Sequence, residues 1–180
     1  MSDLARISPD EFKTTKKIPL IVILDNIRSM NNVGSIFRTC DAFVVEKLYL
    51  CGITATPPHK DITKTALGAT ESVEWEYAEH VVDLVKSLQE NHIKVYLVEQ
   101  TDSSVLLNQF QFPEEKMAIV LGNEVFGVTE DLLSLCDGAI EIPQHGTKHS
   151  LNVTIAAGIV IWEAFAVIGS RSSSVKMTPP

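Results

Sequence analysis

The chain has 180 residues, of which 45% are hydrophobic and 21% charged, a balance typical of one compact globular domain. The formal net charge of -8 and the pI near 5.1 argue against a protein that coats nucleic acid non-specifically, because phosphates repel a net anion. A local basic site remains compatible with this charge.

Apolar runs and helical spacing alternate along the chain. Strands are predicted at residues 20–24, 48–50, 72–75, 94–98, 117–121 and 139–142. Helices are predicted over residues 33–44, 61–67, 80–91, 129–135 and 154–168, with Thr129 as the N-cap of the fourth. This order predicts an α/β fold, a mostly parallel sheet with helices on both faces.

The chain ends and the cysteines predict domain bounds and location. We expect a basic N-terminal extension at residues 1–17, one domain at residues 18–169 and a mobile tail at residues 170–180. The N-terminus lacks the charged region followed by an apolar run and the small-residue cleavage site of a signal peptide. Cys40, Cys51 and Cys136 form no C-x-x-C pair, so we interpret each as a buried reduced thiol of a cytoplasmic protein.

The last predicted helix is almost wholly apolar. Residues 155–168 are shorter than the roughly 20 residues that span a bilayer, and Glu163 interrupts them. A helix that is apolar all round needs cover on every side. A subunit interface or the internal core could supply it, and the sequence favours a dimer helix.

The helix near Asn32 carries polar residues opposite its apolar stripe. Asn31, Ser35 and Arg38 share that side, because residues three and four apart lie on one face. We expect free backbone N–H groups near Asn32 and Gly34 to suit an anion, and Arg38 to hold a phosphate in its planar fork. The alternative is a solvated surface arginine and a capping asparagine.

Two further segments place polar groups directly after strands. Gly122 permits a close backbone approach to a ligand, and Glu124 could pair with an arginine or bind a hydroxyl. The alternative is an ordinary turn with an exposed carboxylate. Ser150 is expected to cap the last helix and Asn152 to reach a ribose or a backbone group, and the alternative for both is a helix cap alone.

Common signatures of other chemistry are missing. The sequence contains no G-x-G-x-x-G, no P-loop and no G-x-S-x-G. His145 and His149 are four residues apart, but Gly146 and the preceding strand end disfavour a helix there, so we expect no metal site.

Three segments, taken in order, resemble the SpoU (TrmH) family of RNA 2′-O-methyltransferases in the SPOUT superfamily. They are residues 26–43 (NIRSMNNVGSIFRTCDAF), 119–128 (IVLGNEVFGV) and 142–153 (IPQHGTKHSLNV) with Ala156, and we name them motifs 1, 2 and 3. Residues 64–69 (KTALGA) also resemble a stretch found between motifs 1 and 2. The chain departs from the usual family residues at Met30, Ser35, Cys40 and Gln144, which are peripheral positions.

The resemblance implies a fold and a cofactor. Family members have a deep trefoil knot near the C-terminus, which no sequence pattern could indicate, and are generally homodimers with the active site at the interface. Here the dimer would form through residues 154–168. S-adenosylmethionine would lie against three loops whose cofactor-binding residues are Glu99, Gln100, Gly122, Ile142, Ser150 and Leu151.

The resemblance also implies residue roles. A ribose 2′-hydroxyl would take the methyl group, and Arg38 matches the family's proposed catalytic arginine. Because an arginine stays protonated, we expect Arg38 to clamp a phosphate. Asn32 and Glu124 would orient Arg38 and the ribose, and Ser150 and Asn152 would shape the knot and reach the substrate.

RNA would have to meet local positive charge. The expected contacts are Arg28, Arg38, Lys60, Lys64 and Lys148, with Lys13, Lys16 and Lys17 as further candidates. The chain has no room for a separate RNA-binding domain, which favours tRNA over rRNA. Two alternatives are a catalytically idle RNA- or cofactor-binding relative of the same fold and an unrelated α/β enzyme acting on a small nucleotide.

Overall fold

The computed structural model describes residues 7–147 and 150–171, and in it seven strands form a single sheet. The strands are β1 (Ile18–Asp25), β2 (Val45–Cys51), β3 (Trp75–Ala78), β4 (Lys94–Val98), β5 (Val105–Leu106), β6 (Met117–Leu121) and β7 (Gly138–Glu141). Their order across the sheet is β3-β2-β1-β6-β4-β7-β5, and every pair of neighbouring strands is parallel. The predicted α/β fold with a mostly parallel sheet is confirmed.

Helices cover both faces of the sheet. They are α1 (Pro9–Thr14), α2 (Met30–Ala42), α3 (Lys60–Ala66), α4 (Ala69–Ser72), α5 (Val81–Glu90), α6 (Leu132–Leu135) and α7 (Val153–Arg171), with a 3₁₀ turn at Leu107–Gln109. Alternate side chains of β1 enter two separate cores. Val22 belongs to the core that includes residues of α2 and α7, and Ile23 belongs to the core that includes residues of α5 and α6.

The register of the central strands places their carboxyl ends side by side. Leu24 of β1 and Val98 of β4 both pair with Leu121 of β6, and Val98 also pairs with Ile140 of β7. The residues that follow these strands therefore meet at one edge of the sheet, where ligands bind in open α/β folds.

Two predicted elements were wrong. The strand expected at residues 72–75 begins only at Trp75, because Ser72 still belongs to α4 and its hydroxyl donates to Asp41 Oδ1 at 2.5 Å. The helix expected at residues 129–135 is reduced to α6. Thr129 does not cap it, since the Thr129 N–H donates to the buried Asp25 Oδ2 at 2.6 Å.

Four short elements were not predicted, namely α1, α4, β5 and the 3₁₀ turn, and α1 had a sequence signal. Helix α1 begins with a capping box, in which the Ser8 hydroxyl accepts from the Glu11 N–H and the Glu11 carboxylate accepts from the Ser8 N–H. Strand β5 is an edge strand of two residues, which are too few to show an alternation of apolar and polar side chains. The predicted tail falls outside the described residues except where α7 continues to Arg171.

All three cysteines are free thiols, as predicted, although only Cys40 and Cys51 are fully buried. Burial, reinforced by the neighbouring Asp25, raises the pKa of Cys51 to about 12. Burial and then Asp137 raise the pKa of Cys136 to about 12. Thiols protonated at neutral pH are poor nucleophiles, so the cysteines are structural.

Helix α7 has two different apolar faces. Its inner face, including Ala157 and Ile161, lies in the core against α2 and β1. Its outer face exposes Ile155, Ile159 and Trp162. The core therefore covers only half of the helix. Among the described residues, no helix combines the length and hydropathy needed to cross a membrane.

Gly34 sets the distance between α2 and α3. A Cβ atom at this position would lie 2.1 Å from Thr65 Oγ1 and 2.3 Å from the backbone oxygen of Ile62. Because the carbonyl cannot rotate away, Gly34→Ala is expected to lower the free energy of unfolding by about 1–3 kcal/mol in urea titrations.

Gly169 supplies the matched control, because a Cβ there would meet nothing within 4 Å. Gly169→Ala should leave the free energy of unfolding unchanged or raise it by up to about 1 kcal/mol. Equal losses in both variants would contradict the packing role of Gly34.

Candidate active site

A cavity of about 270 Å³ opens at the carboxyl ends of β4, β6 and β7. Three loops line it, one after each of these strands. The six residues expected to bind the cofactor all line this cavity: Glu99, Gln100, Gly122, Ile142, Ser150 and Leu151. The structure thus brings together residues from three distant parts of the sequence.

The loop after β6 is a closed turn. The Asn123 N–H donates to the Gly127 oxygen at 2.7 Å, and the Gly127 N–H returns a bond to the Asn123 oxygen at 2.9 Å. Gly127 has a φ of 71°, a left-handed conformation that favours glycine. A Cβ on Gly122 would lie 2.4 Å from the backbone of Gly127 and Val128. Both glycines are therefore required by the turn.

A buried polar network fastens this turn to the end of β1. Asn123 Nδ2 donates to the Asn26 oxygen at 2.7 Å. Asn26, with a φ of 57°, accepts from the Ile53 N–H at 3.1 Å and donates to Asp25 Oδ1 at 2.7 Å. Asp25 is fully buried and also accepts from the Thr129 N–H. This network was not predicted from the sequence, where its one signal is the polar pair Asp25 and Asn26 directly after a buried apolar run.

Glu124 joins motif 2 to motif 1. Its Oε1 accepts from Asn32 Nδ2 at 2.8 Å, and its Oε2 accepts from the Arg28 N–H at 3.3 Å. Burial raises the pKa of Glu124, but hydrogen bonds from its own N–H, from Asn32 and from the N–H groups of Arg28 and Ser29 outweigh it, so the pKa lies below its ordinary value. The carboxylate is ionised at neutral pH.

Carboxylates and apolar side chains share the cavity wall. Glu99, Glu124 and Glu141 all line it, beside apolar residues such as Leu121 and Ile142. Glu141 was not predicted as a site residue; it accepts from Gln100 Nε2 and from the Ser104 hydroxyl, both at 2.7 Å. A wall of this chemistry suits a cation with a flat apolar part, as in a nucleoside that carries a sulfonium.

Arg38 does not line this cavity. It is exposed on α2, about 9 Å along the helix axis from Asn32. The expected free N–H groups at the helix start are not available, because the Asn32 N–H donates to Ser29 Oγ at 3.3 Å and Gly34 is buried against α3. A ligand at this helix could therefore meet the side chains of Asn32 and Arg38, but not free backbone N–H groups of Asn32 and Gly34.

The start of α7 differs from the prediction. Asn152 is its cap, since Asn152 Oδ1 accepts from the Thr154 N–H at 2.8 Å. Ser150 precedes the helix and is exposed on the cavity wall, so its expected capping role was wrong. Asn152 itself does not line the cavity.

The described basic residues differ in their partners. Lys17 and Arg171 donate to backbone oxygens. Lys13, Lys47 and Lys116 form ion pairs with carboxylates. The expected RNA contacts Arg28, Arg38, Lys60 and Lys64 are exposed and form none with described residues. Lys148 and His149 lie outside the described residues, and the others contain no cluster of His, Cys, Asp or Glu that could hold a metal.

Comparison with known protein families and solved structures shows which family has this fold. A family model described as the SpoU rRNA Methylase family matches residues 19–162. The chain belongs to this family.

Individual relatives agree with this assignment. A tRNA (guanosine(18)-2′-O)-methyltransferase of Thermus thermophilus is 31% identical over 158 residues, which cover 86% of this chain and 78% of the relative. The crystal structure of the TrmH/SpoU tRNA modifying enzyme of A. aeolicus superposes with a TM-score of 0.79 at 26% identity, covering 91% of this chain and 81% of that one. An AdoMet-bound rRNA methyltransferase from Sinorhizobium meliloti superposes with a TM-score of 0.77 at 26% identity, covering 88% and 60%.

The hydrogen bonds of Glu124 give stability a definite dependence on pH. Because the pKa of Glu124 is lowered by folding, its contribution is fully present above the ordinary value of 4.5 and is lost as pH falls through the lowered pKa. The difference in free energy of unfolding between wild type and Glu124→Gln should therefore shrink between pH 6 and pH 3.

Glu130→Gln is the matched control, because the Glu130 side chain is exposed and its carboxylate forms no ion pair with described residues. Its difference from wild type should stay near zero over the same range. A Glu124→Gln difference that does not change with pH would contradict the role of these hydrogen bonds.

Proposed function

We propose that the protein transfers a methyl group from S-adenosylmethionine to a ribose 2′-hydroxyl of tRNA. Membership of the SpoU family makes it an S-adenosylmethionine-dependent RNA 2′-O-methyltransferase. The choice of tRNA and the residue roles are the proposal. The observation that carries the residue roles is the 2.8 Å hydrogen bond from Asn32 to Glu124, which links motif 1 to the cavity loop.

The cofactor would be held by the cavity loops. Gly122 and Ile142 line the cavity, and Glu99, Gln100 and Ser150 offer polar groups on the same wall. When bound, S-adenosylmethionine supplies an activated methyl group on a positively charged sulfur. Glu99, Glu124 and Glu141 make the cavity electrostatically suited to that charge.

The protein's own task is to position the nucleotide. Arg38 would hold a phosphate next to the reacting ribose with its planar fork, so that the phosphate oxygen accepts the hydroxyl proton. Arg38 itself stays protonated and cannot act as the base. Asn32 is fixed by Glu124 and would orient the ribose. Ser150 would contact the substrate from motif 3, and Asn152 would act indirectly by fixing the start of α7.

A homodimer would complete this site. Arg38 lies outside the cavity of its own chain, and the outer face of α7 exposes Ile155, Ile159 and Trp162. Pairing of this face between two copies would cover it and bring Arg38 of one copy to the cavity of the other. The trefoil knot, which family membership implies, would hold motif 3 in place.

Substrate and location are inferred from charge and composition. Exposed cations without ion pairs among the described residues, such as Arg28, Lys60 and Lys64, offer local phosphate contacts on an acidic protein. The Thermus thermophilus relative is a tRNA enzyme, which supports tRNA over rRNA. Three free thiols are compatible with the proposed cytoplasmic location.

Methyl transfer from labelled S-adenosylmethionine to unmodified tRNA and rRNA transcripts tests the proposal. We expect label in tRNA, with one linkage resistant to alkaline hydrolysis. Arg38→Ala should lower the turnover rate on the order of a hundredfold or more, and Arg38→Lys should also lose activity because it lacks the planar fork. Cofactor binding, measured by calorimetry, should be unchanged in both.

Lys86→Ala, which removes an exposed cation from α5, is the control and should keep full turnover. Undiminished turnover in Arg38→Lys would exclude the clamp. Cofactor binding without transfer to any transcript would favour an idle relative of the same fold.

The dimer makes a separate prediction. Ile155→Glu places a charge on the outer face of α7, and the desolvation of that charge should shift the protein to a monomer in sedimentation experiments. Methyl transfer should fall with the dimer. Leu133→Glu, which changes an equally exposed side chain on α6, should leave the mass unchanged. A dimeric Ile155→Glu variant would place the interface elsewhere.

A further inference from the structure

A second pocket, of about 380 Å³, lies behind the motif 2 turn. Its apolar wall consists of Ile53, Phe126 and Val128, and Arg28 lies at the same pocket. We propose that this pocket, which we name the Phe126 pocket, receives an unpaired nucleobase of the substrate RNA, stacked on the Phe126 ring. The inference rests on the proposed function and adds a substrate-positioning residue to it.

Phe126 is unusually exposed. The residue is 81% exposed, more than any other large hydrophobic residue in the described part of the chain, and Ile53 beside it is 66% exposed. An aromatic ring held in water at this extent adds nothing to the core. Exposed apolar surface rimmed by polar residues is typical of a binding site.

The turn fixes the backbone at Phe126. Asn123 Oδ1 accepts from the Phe126 N–H at 3.1 Å and from the Val125 N–H at 2.8 Å, and Asn123 and Gly127 close the turn on both sides. The exposed ring therefore projects from a backbone that is already ordered before a base binds. An ordered backbone lowers the loss of conformational freedom on binding.

The Phe126 pocket lies next to the cofactor cavity. Asn123 and Gly127 line both the Phe126 pocket and the cofactor cavity, so one turn separates the two. A nucleotide whose ribose lies at the cavity could place its own base, or the next base, against Phe126. Arg28 lines the Phe126 pocket, and its backbone N–H donates to Glu124 Oε2 at 3.3 Å, which fixes the Arg28 backbone next to a residue of the cofactor cavity.

The chemistry of the pocket favours a nucleobase over an apolar peptide or a second copy of the chain. Single-stranded bases stack on aromatic rings and on arginine planes, and Phe126 and Arg28 offer one of each. The Thr129 side chain adds a polar group at the pocket for base edges. Because every base has an aromatic face, stacking alone predicts little base preference.

Substitutions of Phe126 test the stacking. The probe is the unmodified transcript that accepts label from the wild-type protein, and the measurements are its dissociation constant and the methyl-transfer rate. Phe126→Ala should weaken RNA binding about tenfold or more, and Phe126→Leu should weaken it by a similar factor because it restores an apolar side chain without a ring. Phe126→Tyr should bind within about twofold of wild type, since its ring stacks equally well.

Cofactor affinity and sedimentation should be unchanged in all three variants. Leu133→Ala, a comparable loss of exposed apolar surface on α6, should bind RNA like wild type. RNA binding by Phe126→Leu equal to that of wild type would overturn stacking. Loss of the dimer in Phe126→Ala would assign the ring to a subunit interface instead.

The two proposals fail in different ways. Wild-type protein that methylates RNA while every Phe126 variant binds it equally well would overturn the Phe126 pocket alone. Wild-type protein that binds the cofactor and neither binds nor methylates any transcript would overturn the proposed function, and the pocket with it.

Discussion

The hydrogen bond from the Asn123 side chain to the Asn26 oxygen is the contact on which the site depends. It joins the turn after β6 to the end of β1, two strands that are neighbours in the sheet and far apart in sequence. Once the turn is fixed, Glu124 meets Asn32, Gly127 lies in the cavity wall and Phe126 lies exposed at the surface. One buried amide therefore sets the positions of groups proposed for cofactor, ribose and base, and its desolvation is offset because both ends of the amide are bonded.

The acidic net charge and the proposed RNA substrate are compatible because the charges are separated in space. Carboxylates line the cavity proposed for the cofactor, where Glu99 and Glu141 suit a cationic ligand. The exposed cations Arg28 and Lys64 lie outside that cavity and form no ion pair with other described residues. Net charge governs long-range steering, whereas local cations bind individual phosphates. Binding of RNA should accordingly be sensitive to salt.

Helix α7 connects the cavity wall, the core and an exposed apolar face. Its capped start follows directly on the motif 3 wall of the cavity, and Val153 and Ala156 belong to that wall. Its inner face completes the core over β1, and its outer face is apolar and exposed. If the outer face pairs with a second copy, cofactor cavity and subunit interface share one rigid element. Arg38 on α2, which packs against α7, would then act across that interface.

The parallel sheet and the strands whose ends form the cavity were predictable from the sequence, because apolar runs are local signals. The six loop residues expected to bind the cofactor rested on the resemblance of motifs 1 to 3 to the SpoU family. The predicted start of β3 and the predicted cap of α7 were wrong. Ser72 bonds to Asp41 and Asn152 caps the helix, and the residues next to them in sequence do not indicate these partners. The hydrogen bonds of Asn123 and Glu124, the exposure of Phe126 and the position of Arg38 outside the cavity follow from the tertiary fold. The bonds from Asn123 to Asn26 and from Arg28 to Glu124 join residues almost a hundred positions apart, and only the packing of strands and helices brings such residues together.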